Sequence, residues 1–437
     1  MRSGAPTRQS GSGSGLRGLR GPRARVWFTV GVFLAVVGVR FLGGSLLAAV
    51  GRDRLAVSGT DYQTSYFPAA RNFVDGRGLT IKGKTLLTFY PPGFSVYISS
   101  WIVLAEALNW DIEGTRYFGE SVTVVPLTLL AIFVIWRRLG FQRRGALAAA
   151  VLFGLYPPFI WLGVVPDTVP IFTLFLVWAL VALERSSCAR GLESFLFASL
   201  AGVGIGLAML VRPIALLLPL VMAGVLFVRK RGASRTCGLL LGAVLATGPW
   251  IWFASRASHK LVPVSSSGTA AMWFGVTHVP GSALAGHLAS GSGSSPARSY
   301  GALGRTVLRA AAADPIAAVA FVFLKSVRSW YGLEAGGRAE LALAFLNGAA
   351  LLVCLVGWRR FRATASGPER WLSWDLFVVV GYFWGMTALT SSIARYMVPV
   401  MWIPLGYAVL AFVPSWGPAE GGFCQKPRKE PGLGFVE

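Results

Sequence analysis

Ten apolar runs, most of them long enough to cross a bilayer, decide what this chain can fold into. They fall at about 26–50, 119–136, 145–164, 169–184, 192–211, 213–228, 237–254, 338–357, 371–391 and 396–413. A hydrocarbon core of about 30 Å takes roughly 20 helical residues. Inside it only helices and closed barrels satisfy their own backbone. With 54% hydrophobic and 14% charged residues, the chain lacks the polar surface of a soluble protein of this length. The fold class read from this is an all-α polytopic membrane protein of about 10 transmembrane helices. The first run is too long for the apolar core of a signal peptide and reads as a retained anchor.

The formal net charge of +23 would suggest a nucleic-acid partner in a soluble domain. Here the cations sit in short clusters between apolar runs, with no basic face interleaved with aromatics. They read as topology signals and lipid-headgroup contacts, and nucleic acid is excluded. The clusters are the N-terminal tail, Arg137/Arg138/Arg143/Arg144, Arg185/Arg190, Arg229/Lys230/Arg231/Arg235, Arg359/Arg360/Arg362 and the C-terminal tail. Two further apolar segments, 94–108 and 315–331, decide the topology. If neither spans, every cluster and both tails fall on the cytoplasmic side, and the two segments become interfacial or re-entrant.

That places the protein in the plasma (inner) membrane and divides the chain. Residues 1–25 form a disordered basic tail, 26–413 the membrane domain and 414–437 a second cytoplasmic tail. Residues 51–118 make a first outer loop with interfacial helices, and 255–337 a large outer loop. Cys188, Cys237, Cys354 and Cys424 share no metal-ligand spacing and support neither a disulfide framework nor a zinc site.

The outer face collects the residues with chemistry. Asp61, just past the first span and flanked by Thr60 and Tyr62, can serve as general base or metal ligand at a membrane surface. Its alternative role is to cap a helix over 62–74. Tyr90-Pro91-Pro92-Gly93 is a stiff, extended entry into the next helix. Arg71, Arg77, Lys82 and Lys84 suit a lipid phosphate, or balance Asp53, Asp61 and Asp75. Asp167 lies in a very short turn between spans, where an acid faces a cavity or caps the next helix. Arg212 and Arg395 flank outer span ends and either bind phosphate or snorkel. His259, His278 and His287 match no metal motif.

Asp61-x4-Tyr66-x2-Ala69-Ala70, then Gly76 and Phe89-Tyr90-Pro91-Pro92, resembles the first loop of polyprenol-phosphate-mannose-dependent mannosyltransferases. Gly206-Leu207-Ala208-Met209-Leu210-Val211-Arg212-Pro213, Gly248-Pro249-Trp250, Val262-Pro263-Val264-Ser265, Trp273-x-Gly275 and Ala394-Arg395-Tyr396 with Pro399 resemble the protein mannosyltransferase and aminoarabinose transferase branch. Both belong to the GT-C superfamily of membrane glycosyltransferases. Where that branch shows Arg-Asn after Pro-Trp, this chain has Phe253-Ala254.

The resemblance implies a GT-C-like fold. It also implies transfer of a sugar, mannose-like or another hexose or pentose, from a polyprenyl-phosphate donor on the extracytoplasmic face. The acceptor is a hydroxyl of a glycan, lipid or protein, and membrane lipids are the other partners. Asp61 becomes the catalytic carboxylate and Asp167 the second outer-loop acid. Arg212 and Arg395, then Lys82, Lys84 and Arg71, become the lipid-phosphate ligands. Tyr66, Tyr90, Pro91, Pro92, Trp250, Trp273 and Tyr396 line the substrate loops. No cofactor is assigned, although a divalent cation is compatible with the two acids. The readings that compete are a lipid or sugar transporter or flippase, which needs ionisable groups along a mid-membrane path, and a non-catalytic relative of the enzyme.

The topology predicts that a single cysteine at position 167 reacts with a membrane-impermeant thiol reagent added from the extracytoplasmic side. Labelling from the cytoplasmic side alone would overturn it.

Overall fold

The computed structural model describes residues 22–55, 61–81, 85–229, 232–277, 279, 282, 285, 300–333, 337–365 and 367–413. Lys82, Lys84, His278, His287 and Cys424 lie outside them. The described residues form helices α1 (Pro22–Leu55), α2 (Phe67–Val74), α3 (Gly93–Leu108), α4 (Ile112–Gly119), α5 (Val125–Arg138), α6 (Arg143–Gly154), α7 (Pro157–Val164), α8 (Val169–Cys188), α9 (Gly191–Val211), α10 (Leu218–Val228), α11 (Ala233–Ser258), α12 (Gly268–Thr277), α13 (Tyr300–Ala313), α14 (Pro315–Arg328), α15 (Arg338–Thr364), α16 (Pro368–Leu389) and α17 (Trp402–Phe412). A two-stranded antiparallel ribbon, β1 (Thr80–Ile81) and β2 (Thr85–Leu86), pairs Thr80 with Leu86 in the first loop. The helix α1 starts inside the stretch expected to be a disordered tail, with Pro22 at its first position, where a missing amide proton costs nothing.

Among the described residues seven helical stretches are long and apolar enough to cross a membrane: Val26–Leu46, Ile112–Arg138, Val169–Cys188, Gly191–Val211, Ala233–Ser258, Arg338–Thr364 and Glu369–Leu389. Two helix pairs are long and apolar enough only when taken together, as a broken span or a re-entrant loop: Arg143–Gly154 with Pro157–Val164, bent by 49°, and Ala394–Val400 with Trp402–Phe412, bent by 60°. By length and composition these stretches make up to nine spans among the described residues, with Gly93–Leu108 and Pro213–Val228 as shorter apolar helices. The expected span at 213–228 is a 3-10 turn, Pro213–Ala215, followed by the short α10. Pro213 and Pro219 each remove an amide donor, and the ladder breaks between them.

The segment at 315–331 forms an amphipathic helix, α14. Its Ile316, Val319, Val322 and Phe323 are exposed, while Lys325 and Arg328 are buried. Cys237 and Cys354 are free thiols. Cys188 is disulfide-bonded, which corrects the expectation that the cysteines support no disulfide.

Glycines bring the spans that end at the site into backbone contact. A Cβ on Gly202 would lie 2.0 Å from the Leu239 carbonyl oxygen, and one on Gly242 2.0 Å from that of Ser199. Helices α9 and α11 thus touch without side chains between them, the arrangement that small residues permit in membrane bundles. It holds the end of α9, and with it Arg212, in one place.

The bend between α6 and α7 exposes backbone carbonyls inside the bundle. Two prolines, Pro157 and Pro158, start α7 and deny it amide donors. Side chains from other helices donate to carbonyls at this bend and along α7 to its far end. Arg40 of α1, 1% exposed, donates to the carbonyls of Gly154 (3.4 Å) and Phe159 (2.7 Å) and lies over the Phe159 ring. Arg116 of α4, equally buried, donates to Gly163 (3.2 Å) and Val164 (3.0 Å) and pairs with Glu113 and Glu120. A buried acceptor left without a donor costs about 1–3 kcal/mol. Arg40→Leu is therefore expected to destabilise the protein in detergent by a free energy in that range and so lower its unfolding midpoint, while Arg359→Leu at an exposed position leaves the midpoint in place. A thermal-shift comparison of the two variants checks this.

Candidate functional site

The first loop folds back so that its acid meets the ends of distant spans. Asp61 stands at the N-cap of a π turn, Tyr62–Tyr66, yet its side chain makes no capping bond. One of its oxygens, Oδ1, instead accepts a hydrogen bond from the Tyr90 hydroxyl at 2.5 Å. The capping alternative is therefore not the one adopted. Asp61 itself is exposed, so the carboxylate is oriented from one side and open on another.

Rigid aromatic packing sets that geometry. The Tyr66 ring lies 5.0 Å from that of Tyr90 and edge-on to Phe94 at 5.1 Å. Ser95 donates to the Tyr66 carbonyl at 3.1 Å. Pro91 and Pro92 are buried, and the next residue could be little else than glycine. A Cβ on Gly93 would sit 2.6 Å from the Leu210 carbonyl oxygen. The Pro-Pro-Gly entry to α3 thus abuts the last turn of α9, immediately before Arg212.

Arg212 closes α9 in extended backbone, and Pro213 prevents the helix from continuing. The 3-10 turn that follows is held by Tyr382 of α16, which donates to the Ile214 carbonyl at 2.6 Å and accepts from the Leu217 amide at 3.1 Å. Arg395 and Tyr396 lie on another 3-10 turn, Ala394–Tyr396, at the broken start of the last span. The two arginines converge on one ring: the guanidinium carbon of Arg212 is 4.6 Å from the Tyr396 centroid and that of Arg395 is 5.4 Å. Asp167 does two jobs. Its Oδ1 accepts from the Val169 amide at 2.8 Å, capping α8, and its Oδ2 faces Arg395 at 3.9 Å.

Electrostatics place these groups around one phenol. Burial pushes the Tyr66 hydroxyl well above its ordinary value, with Asp61 adding to the rise and Arg212 opposing it. Burial, then the hydrogen bond to Asp61, raises Tyr90 in the same way, against Arg395. Both phenols stay neutral donors at physiological pH. The arrangement is an open carboxylate held by a neutral phenol, beside two guanidiniums stacked on one ring. Chemically it can accept a proton from a bound hydroxyl and stabilise a departing anion.

Trp250 acts as a strut: its indole donates to the Val264 carbonyl at 2.8 Å, and its ring packs in a small apolar cluster with Ala254 and Val262 against Leu79 and Leu210. Ser266 donates its amide to the Thr88 carbonyl at 2.8 Å, tying the large loop to the first. Trp273 sits on α12, whose Gly275 is pressed against the Thr390 carbonyl. Arg71 does not join the cluster, because Glu106 of α3 pairs with it. Among the described residues no group of three or more His, Cys, Asp or Glu side chains could hold a metal ion. A cation bound at Asp61 or Asp167 would therefore take its remaining oxygens from substrate or water.

One part of the site escaped sequence reasoning. Tyr62, next to Asp61, donates to Glu113, which pairs with the buried Arg116, which pairs with Glu120. Burial, then Glu113, raises the Tyr62 phenol. The readable signal was the spacing of Glu113, Arg116 and Glu120, which puts an acid, a base and an acid on one helical face.

No protein-family model matches the chain, and no curated protein matches its sequence. Among solved structures it is similar to the archaeal oligosaccharyltransferase AglB from Archaeoglobus fulgidus, determined in complex with an inhibitory peptide and a dolichol-phosphate. The TM-score is 0.47 and the identity 14%, over 89% of this chain and 50% of that one. This chain thus spans about half the length of that enzyme.

The neutral state of Tyr66 is open to spectroscopy. An ordinary tyrosine ionises near pH 10. Because burial and Asp61 favour the uncharged phenol, Tyr66→Phe is expected to leave unchanged the number of tyrosines that ionise near that pH in the folded protein. An ultraviolet titration that lost one tyrosine in this range would contradict the packing.

Proposed function

We propose that this protein is a GT-C-type membrane glycosyltransferase that moves a sugar from a polyprenyl-phosphate donor to an acceptor hydroxyl. The observation that carries the reading is the meeting of Asp61, held by Tyr90, with Asp167, Arg212 and Arg395 around Tyr66 and Tyr396. These residues come from four separate parts of the chain, and their motifs are those by which it resembles the superfamily.

In the proposed reaction the acceptor hydroxyl gives its proton to the Asp61 carboxylate. Its oxygen bonds to the anomeric carbon of the sugar as the bond from that carbon to the lipid phosphate breaks. The phosphate leaves with the electron pair, and Arg395 and Arg212 stabilise its charge. Tyr90 aims the carboxylate, and Asp167 holds Arg395 on the same face. Donor sugars of the mannose-like, hexose or pentose kinds, and a glycan, lipid or protein acceptor, are all compatible with this machinery. Lys82 and Lys84 of the first loop are further candidate phosphate contacts.

The transporter reading requires ionisable groups along a path. Arg40 and Arg116, buried within the bundle, are bonded instead to backbone carbonyls at the α6–α7 bend and at the far end of α7, which favours the enzyme. Loss of a general base reduces rate by about 10²–10⁴-fold. Asp61→Asn is expected to reduce sugar transfer from radiolabelled polyprenyl-phosphate sugars in membranes by that factor, at unchanged expression. A variant that is stably expressed and transfers as well as wild type would remove Asp61 from the mechanism.

A further inference from the structure

The bundle has a second opening, at the end of α8 away from Asp61. Helix α8 starts at the site, where Asp167 caps it, and runs about 30 Å for its 20 residues. Near its far end a cavity of about 440 Å³ opens sideways between α5, α8 and α9. Ala179 and Ala182 make its floor, and Trp178, Phe197 and Leu200 are among its apolar walls. Trp178 and Leu200 are themselves exposed on the outside of the bundle, so the groove faces whatever surrounds it. Gly204 shapes it: a Cβ there would come within 2.9 Å of that of Ala179.

Only one end of the groove is charged. Arg138 and Arg185 close it at the last turns of α5 and α8. Arg138 pairs with Glu184 at 2.9 Å, and Arg185 with Glu193 at 3.4 Å. The second pair is solvent-exposed on both sides and so worth little. Arg137, Arg143, Arg144, Arg190 and Arg235 flank the same end, which leaves it strongly cationic. From Phe197 to Leu207 along α9 the groove rises about 15 Å. That is half of a hydrocarbon core of about 30 Å, the depth of one leaflet.

We infer that this groove binds an anionic glycerophospholipid from the leaflet that borders the arginine end. The acyl chains lie against Trp178, Leu200 and Leu207, and the phosphate meets Arg185 with Arg138 behind it. An apolar slot one leaflet deep with cations at a single end matches an amphiphile whose headgroup sits at that end. A polyprenyl-phosphate donor would carry its phosphate to the opposite end, at Arg212 and Arg395. The lipid site is thus separate from the proposed reaction and stands or falls without it.

The test is lipid retention. Purified full-length protein is delipidated in detergent and incubated with phosphatidylglycerol or phosphatidylcholine of identical chains, and bound lipid is counted by native mass spectrometry. Wild type is expected to keep one phosphatidylglycerol in about fivefold preference over phosphatidylcholine. Arg185→Gln, at an exposed ion pair, is expected to remove the preference. Leu200→Trp leaves both arginines in place and is expected to reduce retention of both lipids. Retention of phosphatidylglycerol unchanged in both variants would overturn the proposal. So would its one-for-one displacement from wild type by undecaprenyl phosphate, which would assign the groove to the tail of the donor.

Discussion

Everything in this bundle follows from the need to satisfy backbone polar groups where no water is at hand. Unbroken spans do so by themselves, and the broken ones cannot. At the α6–α7 bend the deficit is met by Arg40 and at the far end of α7 by Arg116, two guanidiniums placed among carbonyls. At the Arg212-Pro213 break it is met by the Tyr382 hydroxyl, which both donates and accepts. The last span is broken too, by 60°, and there the chain presents Arg395 and Tyr396. The two breaks next to the site carry its two cations. A straight helix would have pointed Arg212 and Arg395 along its own side, not toward a common ring.

The site inherits its rigidity from contacts that have no chemistry of their own. Gly93 against Leu210, Gly275 against Thr390 and Gly202 against Leu239 are all backbone approaches that one added methyl group would open. Trp250 bridges the first loop, the large loop and α9 through one indole hydrogen bond and one small apolar cluster. On this scaffold the Tyr90–Asp61 bond is short and its donor uncharged, so the carboxylate keeps a single orientation while one side stays open. Preorganisation of this kind, with dipoles and charges set before substrate arrives, is what an electrostatically driven transfer needs. The chain Tyr62–Glu113–Arg116–Glu120, half-exposed at Glu113 and buried at Arg116 and Glu120, extends the same support. It links the residue beside Asp61 to the carbonyls of the bent span.

Particular residues show how much was legible in the chain. The apolar runs and the cations between them placed most spans, because hydropathy reports the solvent a segment must enter. The segment at 213–228 has the composition of a span, and the sequence did not show that it is divided into a 3-10 turn after Pro213 and the shorter α10. Asp61 stood out as an acid after a membrane run, yet its partner Tyr90, 29 positions on, is chosen by the Pro-Pro-Gly contact with α9. Arg71 had the same local credentials as Arg212. Glu106, far along another helix, decided that it pairs elsewhere. Asp167 was read as either a cap or an acid facing a cavity; one of its oxygens accepts from the Val169 amide and the other faces Arg395.

The sequence by itself determined that the chain is helical and has several runs able to cross a membrane, and it singled out Asp61, Asp167, Arg212 and Arg395 as candidate site residues. Those conclusions rest on hydrophobic length and on charged groups too costly to place beside hydrocarbon without purpose. Tertiary structure alone decided which of those groups meet. A carboxylate's orientation, a shared ring between two arginines and a phenol held neutral are all set by contacts between residues tens to hundreds of positions apart. Such contacts depend on where spans break and how closely their backbones approach, and neither is a property of a local run of residues.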